Sequence, residues 1–465
     1  MKKIGELIEC SYDIDIFGIA DDSRNVREGF LFVATKGFYV DHYDYIVDAI
    51  NNGAVCIIAD RTIDVNVPVI IVDDVNNCYF DLCGKFFDID INDFNFIGVT
   101  GTDGKTTTTT IVNELLNKYV NHACIGTNGV IVGREYFSTN NTTPCVFEFF
   151  EDLNRIRNYK CKDVIMEVSS EALLHDRLKK VKYDIVAFTN ITEDHLNIHK
   201  TIENYRKCKF KLLELLKNDS VVIINGDDVI CRQIDACNLY RVGMNNDNDF
   251  VISNVKEMSD CVNFTIACKD CVYDLNSPLL GLYNVYNVAM AFVICLMKGA
   301  NPEFLIDDIA NISSIRGRRE NIDFGQDYKI ILDYAHTYNG IKNMLESVSN
   351  YDKVITVTGA AGGREKEKRS KIGKLVLENS DVTIFTMDDP RFEDVNDIID
   401  QMAMDSDISY LRITDRKNAI FKALDMATSD SVVLILGKGR DNYMAIEDRK
   451  EPYCDYDVIS DYFNS

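Results

Sequence analysis

The sequence predicts an α/β fold in three domains with largely parallel sheets, an expectation that rests on two observations. Short apolar runs alternate with helical segments along most of the chain, the pattern of strands joined by crossover helices. Two polar, turn-prone stretches, residues 88–93 and 313–321, interrupt that rhythm, and it restarts after each. At 465 residues the chain is also too long for one ordinary core; roughly 150 residues per domain suggests about three. The expected divisions are 1–90, 91–316 and 317–465.

In the first domain, residues 30–33 and 55–58 are apolar runs of strand length, an amphipathic helix spans 45–51 between them, and a third strand at 69–72 follows a proline. The second opens with the apolar strand Phe96-Ile97-Gly98-Val99-Thr100 and continues with strands at 163–168, 185–189 and 220–225. The third holds strands at 329–332, 353–358, 382–386 and 432–436, with helical segments between. Sites in open sheets of this type form outside the carboxyl ends of the strands, so the polar residues that follow each strand are the candidates.

The strongest local signal follows the strand at 96–100. Gly101 and Gly104 let the backbone turn tightly and bring N–H groups to a phosphate. Thr102 lies between them, Lys105 can reach β- and γ-phosphates, Thr106 can ligate Mg²⁺, and the helix opening through Thr107 adds its positive dipole end. Val99 stands where a phosphate loop usually has its first glycine, yet a Lys-Thr pair between strand and helix marks a site for ATP. Other strand ends carry Glu167 and Ser169, Asn190 to His195, and Asp333; Glu167 and His195 are natural partners of Thr106 for Mg²⁺. A second glycine-rich turn, Gly359 to Glu365, precedes a cationic cluster of Lys366, Lys368 and Arg369, a holder for phosphate or carboxylate. Lys209 by itself reads as part of a charged helix face.

Composition narrows the partners. The net charge of −24 excludes nucleic acid and anionic membrane surfaces as natural partners. Fifteen cysteines, an odd number with one isolated C-x-x-C at Cys268 and Cys271, indicate reduced thiols. The N-terminus lacks the apolar run of a signal peptide and no apolar stretch reaches about 18 residues, so a cytoplasmic protein without a membrane span is expected.

Taken in order, these pieces resemble the Mur ligase family, in particular its UDP-N-acetylmuramoyl-tripeptide synthetases. Asp22-Ser23-Arg24 followed by Gly29-Phe30-Leu31-Phe32-Val33-Ala34 resembles the family's uridine-binding segment, and Thr100 to Thr107 matches its T-G-T-x-G-K-T-T loop, which accounts for the absent first glycine. Asn141-Thr142-Thr143-Pro144, Met166-Glu167-Val168-Ser169-Ser170, Asn190 with Asp194-His195-Leu196, Gly281 to Asn287, Gly317-Arg318 with Glu320, and Asp333-Tyr334-Ala335-His336-Thr337 follow in the family's order. The resemblance implies an enzyme of peptidoglycan precursor synthesis, acting as a monomer. ATP phosphorylates the carboxylate of a UDP-MurNAc-dipeptide, and the amine of an amino acid displaces phosphate from the acyl phosphate. It implies that Lys105, Glu167, His195 and a carbamylated Lys209 serve catalysis, with Mg²⁺ held by Thr106, Glu167 and His195. It also implies that Ser23, Thr142, Thr143, Ser169 and Arg177 meet the UDP-MurNAc-peptide, that Asn287, Arg318 and Asp333 surround adenine and ribose, and that the third domain closes on the second, with the Lys366–Lys368–Arg369 cluster sensing nucleotide.

The amino-acid pocket departs from the family pattern. Asp388-Asp389-Pro390-Arg391 stands in place of D-N-P-R, and Gly437-Lys438-Gly439-Arg440-Asp441 in place of G-K-G-H-E. Arg391 can clamp a carboxylate and so favours meso-diaminopimelate, whereas Asp389 is expected to repel one and Arg440 to add a cation. Glu171 stands where the pattern has histidine. The alternatives are L-lysine or another amino acid as the amine, a paralogue acting on a non-muramoyl acid as folylpolyglutamate synthetases do, and a nucleotide-binding protein whose ligase site has decayed.

Overall fold

In the computed structural model, which describes residues 1–464 apart from 36–40, 119–120, 270 and 365, three large sheets stand in chain order, beside two two-stranded ones. The first has four parallel strands, Gly18–Ala20, Phe30–Val33, Ala54–Ala59 and Val69–Ile71. The helix expected at 45–51 is present as Ile46–Asn51, entered through a tight turn at His42–Tyr45 whose N-terminus is capped by Asp41. Helix Val75–Phe87 begins at Asp74, whose carboxylate accepts from the Asn77 N–H, and ends at Asp88 in the left-handed region. It packs against helix Val146–Asn158, with the Phe80 and Phe150 rings 4.9 Å apart edge to face. One buried apolar cluster therefore runs from Ile4 to Ile234, and the first sheet is seated on the second rather than tethered to it.

The central sheet has eleven strands. Strand Asn95–Thr100 lies between Asp163–Glu167 and Tyr183–Phe188, parallel to both. Parallel pairing extends through His122–Gly126 on one side and through Leu216–Asn225, Leu239–Gly243 and Phe250–Glu257 on the other. Both edges then turn antiparallel, a hairpin of Gly129–Val132 with Glu135–Phe137 and a meander of Val262–Cys268 with Cys271–Ser277. Val262–Cys268 and Cys271–Ser277 mix polar with apolar residues and are partly exposed, so they lack the continuous apolar runs that reveal buried strands. Helix Leu282–Met297, buried along most of its length, covers one face together with helix Lys105–Leu116.

The third sheet orders Glu320–Asn321, Lys329–Asp333, Ser431–Leu436, Lys353–Thr358, Val382–Phe385 and Leu411–Arg412, all parallel except the first pair. All four strands expected here form. The carboxyl ends of two of them, Val382–Phe385 and Ser431–Leu436, are tied together by Arg416, whose side chain is fully buried. It pairs with the equally buried Asp455 at 2.7 Å and donates to the carbonyls of Met387 (3.3 Å) and Leu436 (2.9 Å). These carbonyls precede Asp388 and Gly437, so this ion pair fixes the two turns that face the site. Asp455→Asn leaves the guanidinium with an uncompensated charge and is expected to destabilise the protein by about 3–5 kcal/mol, read as a lowered urea midpoint.

Candidate active site

The phosphate loop takes its shape from contacts that leave no room for side chains. Gly101 and Gly104 have φ of +157° and +84°, values that glycine adopts without penalty. A Cβ at Gly101 would fall inside the Thr189 hydroxyl, and one at Gly104 would fall on Asn287 Oδ1. The loop is also held by side chains of the next strand end: the Asp103 N–H donates to Asn190 Oδ1 (2.9 Å), while Thr189 and Asn190 donate back to the Asp103 carbonyl (2.6 and 3.0 Å). Lys105 curls back so that Nζ donates to the carbonyls of Gly101 (3.0 Å) and Thr102 (2.9 Å). Burial pulls its pKa below the ordinary lysine value.

Glu167, at the end of the neighbouring strand, is 1% exposed. Its carboxylate accepts from Thr106 Oγ1 (2.9 Å), the Thr127 N–H (2.8 Å) and the Thr127 hydroxyl (3.3 Å), and no ion pair to it forms among the described residues. Thr143 Oγ1 donates to the Glu167 carbonyl (2.8 Å) and accepts from the Ser169 N–H (2.9 Å), and Arg177 donates to the Thr143 carbonyl (3.3 Å). Thr142 shares a hydrogen bond with Thr127 (3.1 Å).

His195 opens a short helix with φ +54°. Burial, only partly offset by Asp194 3.4 Å away, lowers its pKa to about 3 and keeps the imidazole neutral. Lys209 is 1% exposed; its amine donates to the Gly101 carbonyl (2.7 Å), approaches Thr100 Oγ1 (3.4 Å) and sits 4.8 Å from the centre of the Tyr205 ring. Burial, with Lys105 nearby, drives its pKa well below the ordinary value, which favours the neutral, nucleophilic amine.

Two cavities meet at this loop. The larger, about 940 Å³, lies between the central and third sheets and is lined by Gly104, Thr107, Asn287, Arg318 and Asp333, with Tyr283 and Met344 as apolar walls. The smaller, about 410 Å³, is lined by Thr102, Lys105, Thr106, Thr142, Thr143, Glu167, Ser169, Arg177, His195, Lys209, Asp388, Asp389, Gly437 and Asp441. The residues singled out in the sequence therefore converge. Ser23, buried in the first sheet's unit, Gly101, behind the loop, and Arg391 line neither.

The third sheet's unit reaches this loop through polar contacts. Arg318 Nη2 donates to Thr106 Oγ1 (3.0 Å), Thr337 Oγ1 to the Asp103 carboxylate (3.3 Å), and Lys368 Nζ to Asp194 (3.3 Å) and the Glu193 carbonyl (3.2 Å), while Arg364 Nη1 lies 3.3 Å from His195 Nδ1. Thr127 and Asp103 were not singled out in the sequence. Nothing in local pattern distinguishes Thr127, whereas Asp103 is the variable position of the loop motif.

Family models match in the same order as the sheets: the Mur ligase family catalytic domain at residues 15–79, the Mur ligase middle domain at 99–295 and the Mur ligase glutamate ligase domain at 317–439. The chain is 33% identical over 480 aligned residues to UDP-N-acetylmuramoyl-L-alanyl-D-glutamate–2,6-diaminopimelate ligase of Bacillus cereus, covering 99% of this chain and 98% of that one. The chain belongs to the Mur ligase family. Among solved structures, a ligase of that same name superposes with a TM-score of 0.66 at 24% identity, covering 100% and 99% of the two chains. The MurF ligase of Thermotoga maritima in complex with ADP gives 0.66 at 18% identity, covering 96% of each. These show the shared three-domain α/β fold. The protein is accordingly an ATP-dependent, ADP-forming ligase.

The departures from the Mur pattern read differently in three dimensions. Arg440 does not bring a cation into the pocket: it forms a two-pronged pair with Glu320 (2.9 and 2.5 Å) and stacks 3.5 Å over the Tyr456 ring. Glu171 faces His195, with Oε1 4.0 Å from Nδ1. In the cationic cluster only Lys368 reaches the central domain. Lys366 pairs with Glu393 (3.6 Å), and Arg369, 2% exposed, is held by Glu393 (2.7 and 3.0 Å), Gln401 (2.8 Å) and the Ala361 carbonyl (2.9 Å). Arg369 is thus held at the glycine-rich turn by its own domain, on the lining of the smaller cavity. Glu365 of that turn lies outside the described residues.

Two expectations follow. The Arg369 hydrogen bonds hold the Glu393 pKa at about 2, below its ordinary 4.5. This depressed carboxylate stabilises the fold above pH 4.5 and ceases to do so as pH falls toward 2, so the thermal midpoint of wild type should fall more steeply over that window than that of Glu393→Gln. A Cβ at Gly126 would meet the Glu167 carboxylate. Gly126→Ala is expected to lower kcat about 10- to 100-fold by displacing Glu167, and to lower the thermal midpoint as well, because the displaced carboxylate loses hydrogen bonds while still buried.

Proposed function

We propose that this ligase joins meso-diaminopimelate to the D-glutamyl carboxylate of UDP-MurNAc-L-Ala-D-Glu, with cleavage of ATP to ADP and phosphate, as a cytoplasmic step in peptidoglycan precursor synthesis. The observation that carries the reading is the convergence of Lys105, Thr106, Glu167, His195 and Lys209 on one cavity that also holds the strand-end residues Thr142, Thr143, Ser169 and Arg177. Near-full-length similarity to diaminopimelate-adding ligases supports the choice of amine.

In this reading the adenine and ribose occupy the larger cavity, between Asn287 of the central domain and Arg318 and Asp333 of the third. The N–H groups of the loop from Gly101 to Thr107 hold the phosphates, and Lys105 leaves its two carbonyl partners for the γ-phosphoryl oxygens, where its charge offsets what develops in transfer. Mg²⁺ fits the donor set. Glu167 is a buried carboxylate with only neutral hydrogen-bond donors, Thr106 Oγ1 lies beside it, and the neutral His195 ring offers a lone pair. Among the described residues no three acidic, histidine or cysteine side chains form a complete metal cluster, so phosphate oxygens and water complete the shell. When bound, the cation neutralises charge on the transferring phosphoryl group.

Arg177 and the Thr143–Ser169 pair hold the peptidyl carboxylate where it attacks the γ-phosphorus, giving an acyl phosphate. The amine, placed by Asp388, Asp389, Asp441, Gly437 and Arg391, then displaces phosphate. The neutral Lys209 amine is suited to attack carbon dioxide, forming an N–C bond with loss of one proton to water, and the carbamate would be an anion on the lining of the same cavity as Glu167 and His195. Ser23, remote from both cavities, belongs to the uridine end of the substrate.

The reading is tested by phosphate release with UDP-MurNAc-L-Ala-D-Glu, ATP and Mg²⁺, comparing meso-diaminopimelate, L-lysine and L-ornithine. Turnover with diaminopimelate above the other two is expected; a preference for a monocarboxylic amine overturns the choice of amine, and no turnover with any overturns the ligase reading. Lys209→Ala should lose activity and gain none from added bicarbonate, and full activity in that variant would remove the carbamate.

A further inference from the structure

The aspartate at position 389 presents an electrostatic problem that the fold answers. Asp389 lines the smaller cavity together with Asp388 and Asp441, and an unpaired carboxylate at 389, two residues from Arg391, would repel the carboxylate that Arg391 is placed to hold. Asp389 Oδ1, however, is turned away to accept from Lys438 Nζ (2.8 Å) and from the Ala445 N–H (2.9 Å). The same ammonium donates to Asp441 Oδ2 at 3.0 Å. Lys438 is 1% exposed and lies 4.9 Å from the centre of the Tyr443 ring; it is not part of the cavity lining and acts from behind it.

The turn itself is rigidly placed. Asp389 and Arg391 have φ of +43° and +53° on either side of Pro390. The Arg391 N–H donates to the Ala445 carbonyl (3.0 Å) and the Glu447 N–H to the Arg391 carbonyl (2.8 Å), tying the turn to the hairpin that begins at Tyr443. The Arg391 guanidinium makes no hydrogen bond or ion pair to the described residues and is available to a carboxylate.

We propose that Lys438 is a specificity-determining residue of the amine pocket: by cancelling the charge of Asp389 it allows the amine's second carboxylate to approach Arg391, while Asp389 and Asp441 still take its ammonium group. This rests on the ligase reading above. The group of Asp389, Lys438 and Asp441 carries one net negative charge; removing the ammonium makes it two, and removing Asp389 as well restores one.

The test is steady-state kinetics of four proteins, wild type, Lys438→Met, Asp389→Asn and the double variant, with meso-diaminopimelate and with L-lysine, and a thermal midpoint for each. Lys438→Met should raise KM for diaminopimelate by about tenfold or more, with a smaller rise for L-lysine and little change in kcat. Asp389→Asn, which keeps a residue tolerant of positive φ, should shift the KM ratio the opposite way. The double variant should recover the wild-type ratio. Equal KM rises for both amines in Lys438→Met, or no recovery in the double variant, overturn the proposal and leave the ligase reading standing. If Lys438→Met does not fold, the opposite shift in Asp389→Asn decides, and an unchanged ratio there overturns it. Wild type inactive with diaminopimelate overturns both.

Discussion

The hydrogen bond from Thr106 to Glu167 joins the two elements on which the rest of the site is built. Thr106 belongs to the helix that the phosphate loop opens, and Glu167 ends the adjacent parallel strand. A carboxylate this deeply buried is costly unless hydrogen-bonded, and the Thr127 N–H and hydroxyl supply the remaining bonds from the next strand end. Three strand ends are thereby held in register at one point. The substrate-side residues are fixed through the same strand end, since Thr143 bonds the Glu167 carbonyl and the Ser169 N–H. Lys209 closes the other side against the carbonyl of Gly101.

Much of the inner architecture was legible because its causes are local, although the inner strands His122–Gly126 and Leu239–Gly243 were not singled out. Strands buried on both faces read as apolar runs, and the glycines of the phosphate loop announce positive φ before any contact is known. The antiparallel edges, especially Val262–Cys268 with Cys271–Ser277, escaped because half their residues face solvent and the apolar signal is halved. Site chemistry was legible where a motif carried it, and not where charge depends on partners far along the chain. Arg440 reads as a free cation until Glu320, 120 residues away, is beside it. Asp389 reads as a free anion until Lys438 is. Arg369 reads as a free cation until Glu393 and Gln401 are beside it. Charged side chains announce their type in the sequence, but only tertiary structure settles which of them are already neutralised.

The contacts between the third domain and the phosphate loop bear on how binding is to be understood. Arg318 rests on Thr106, Arg364 beside His195, Lys368 on Asp194, and Lys105 on its own loop carbonyls. On the proposed reading, phosphate and cation would claim the Lys105 amine, the Thr106 hydroxyl and the His195 ring. Ligand arrival is therefore an exchange of partners and not the filling of idle groups. Under that reading the binding free energy of a nucleotide is the difference between two sets of charge-assisted bonds, so each internal bond given up on binding counts against affinity.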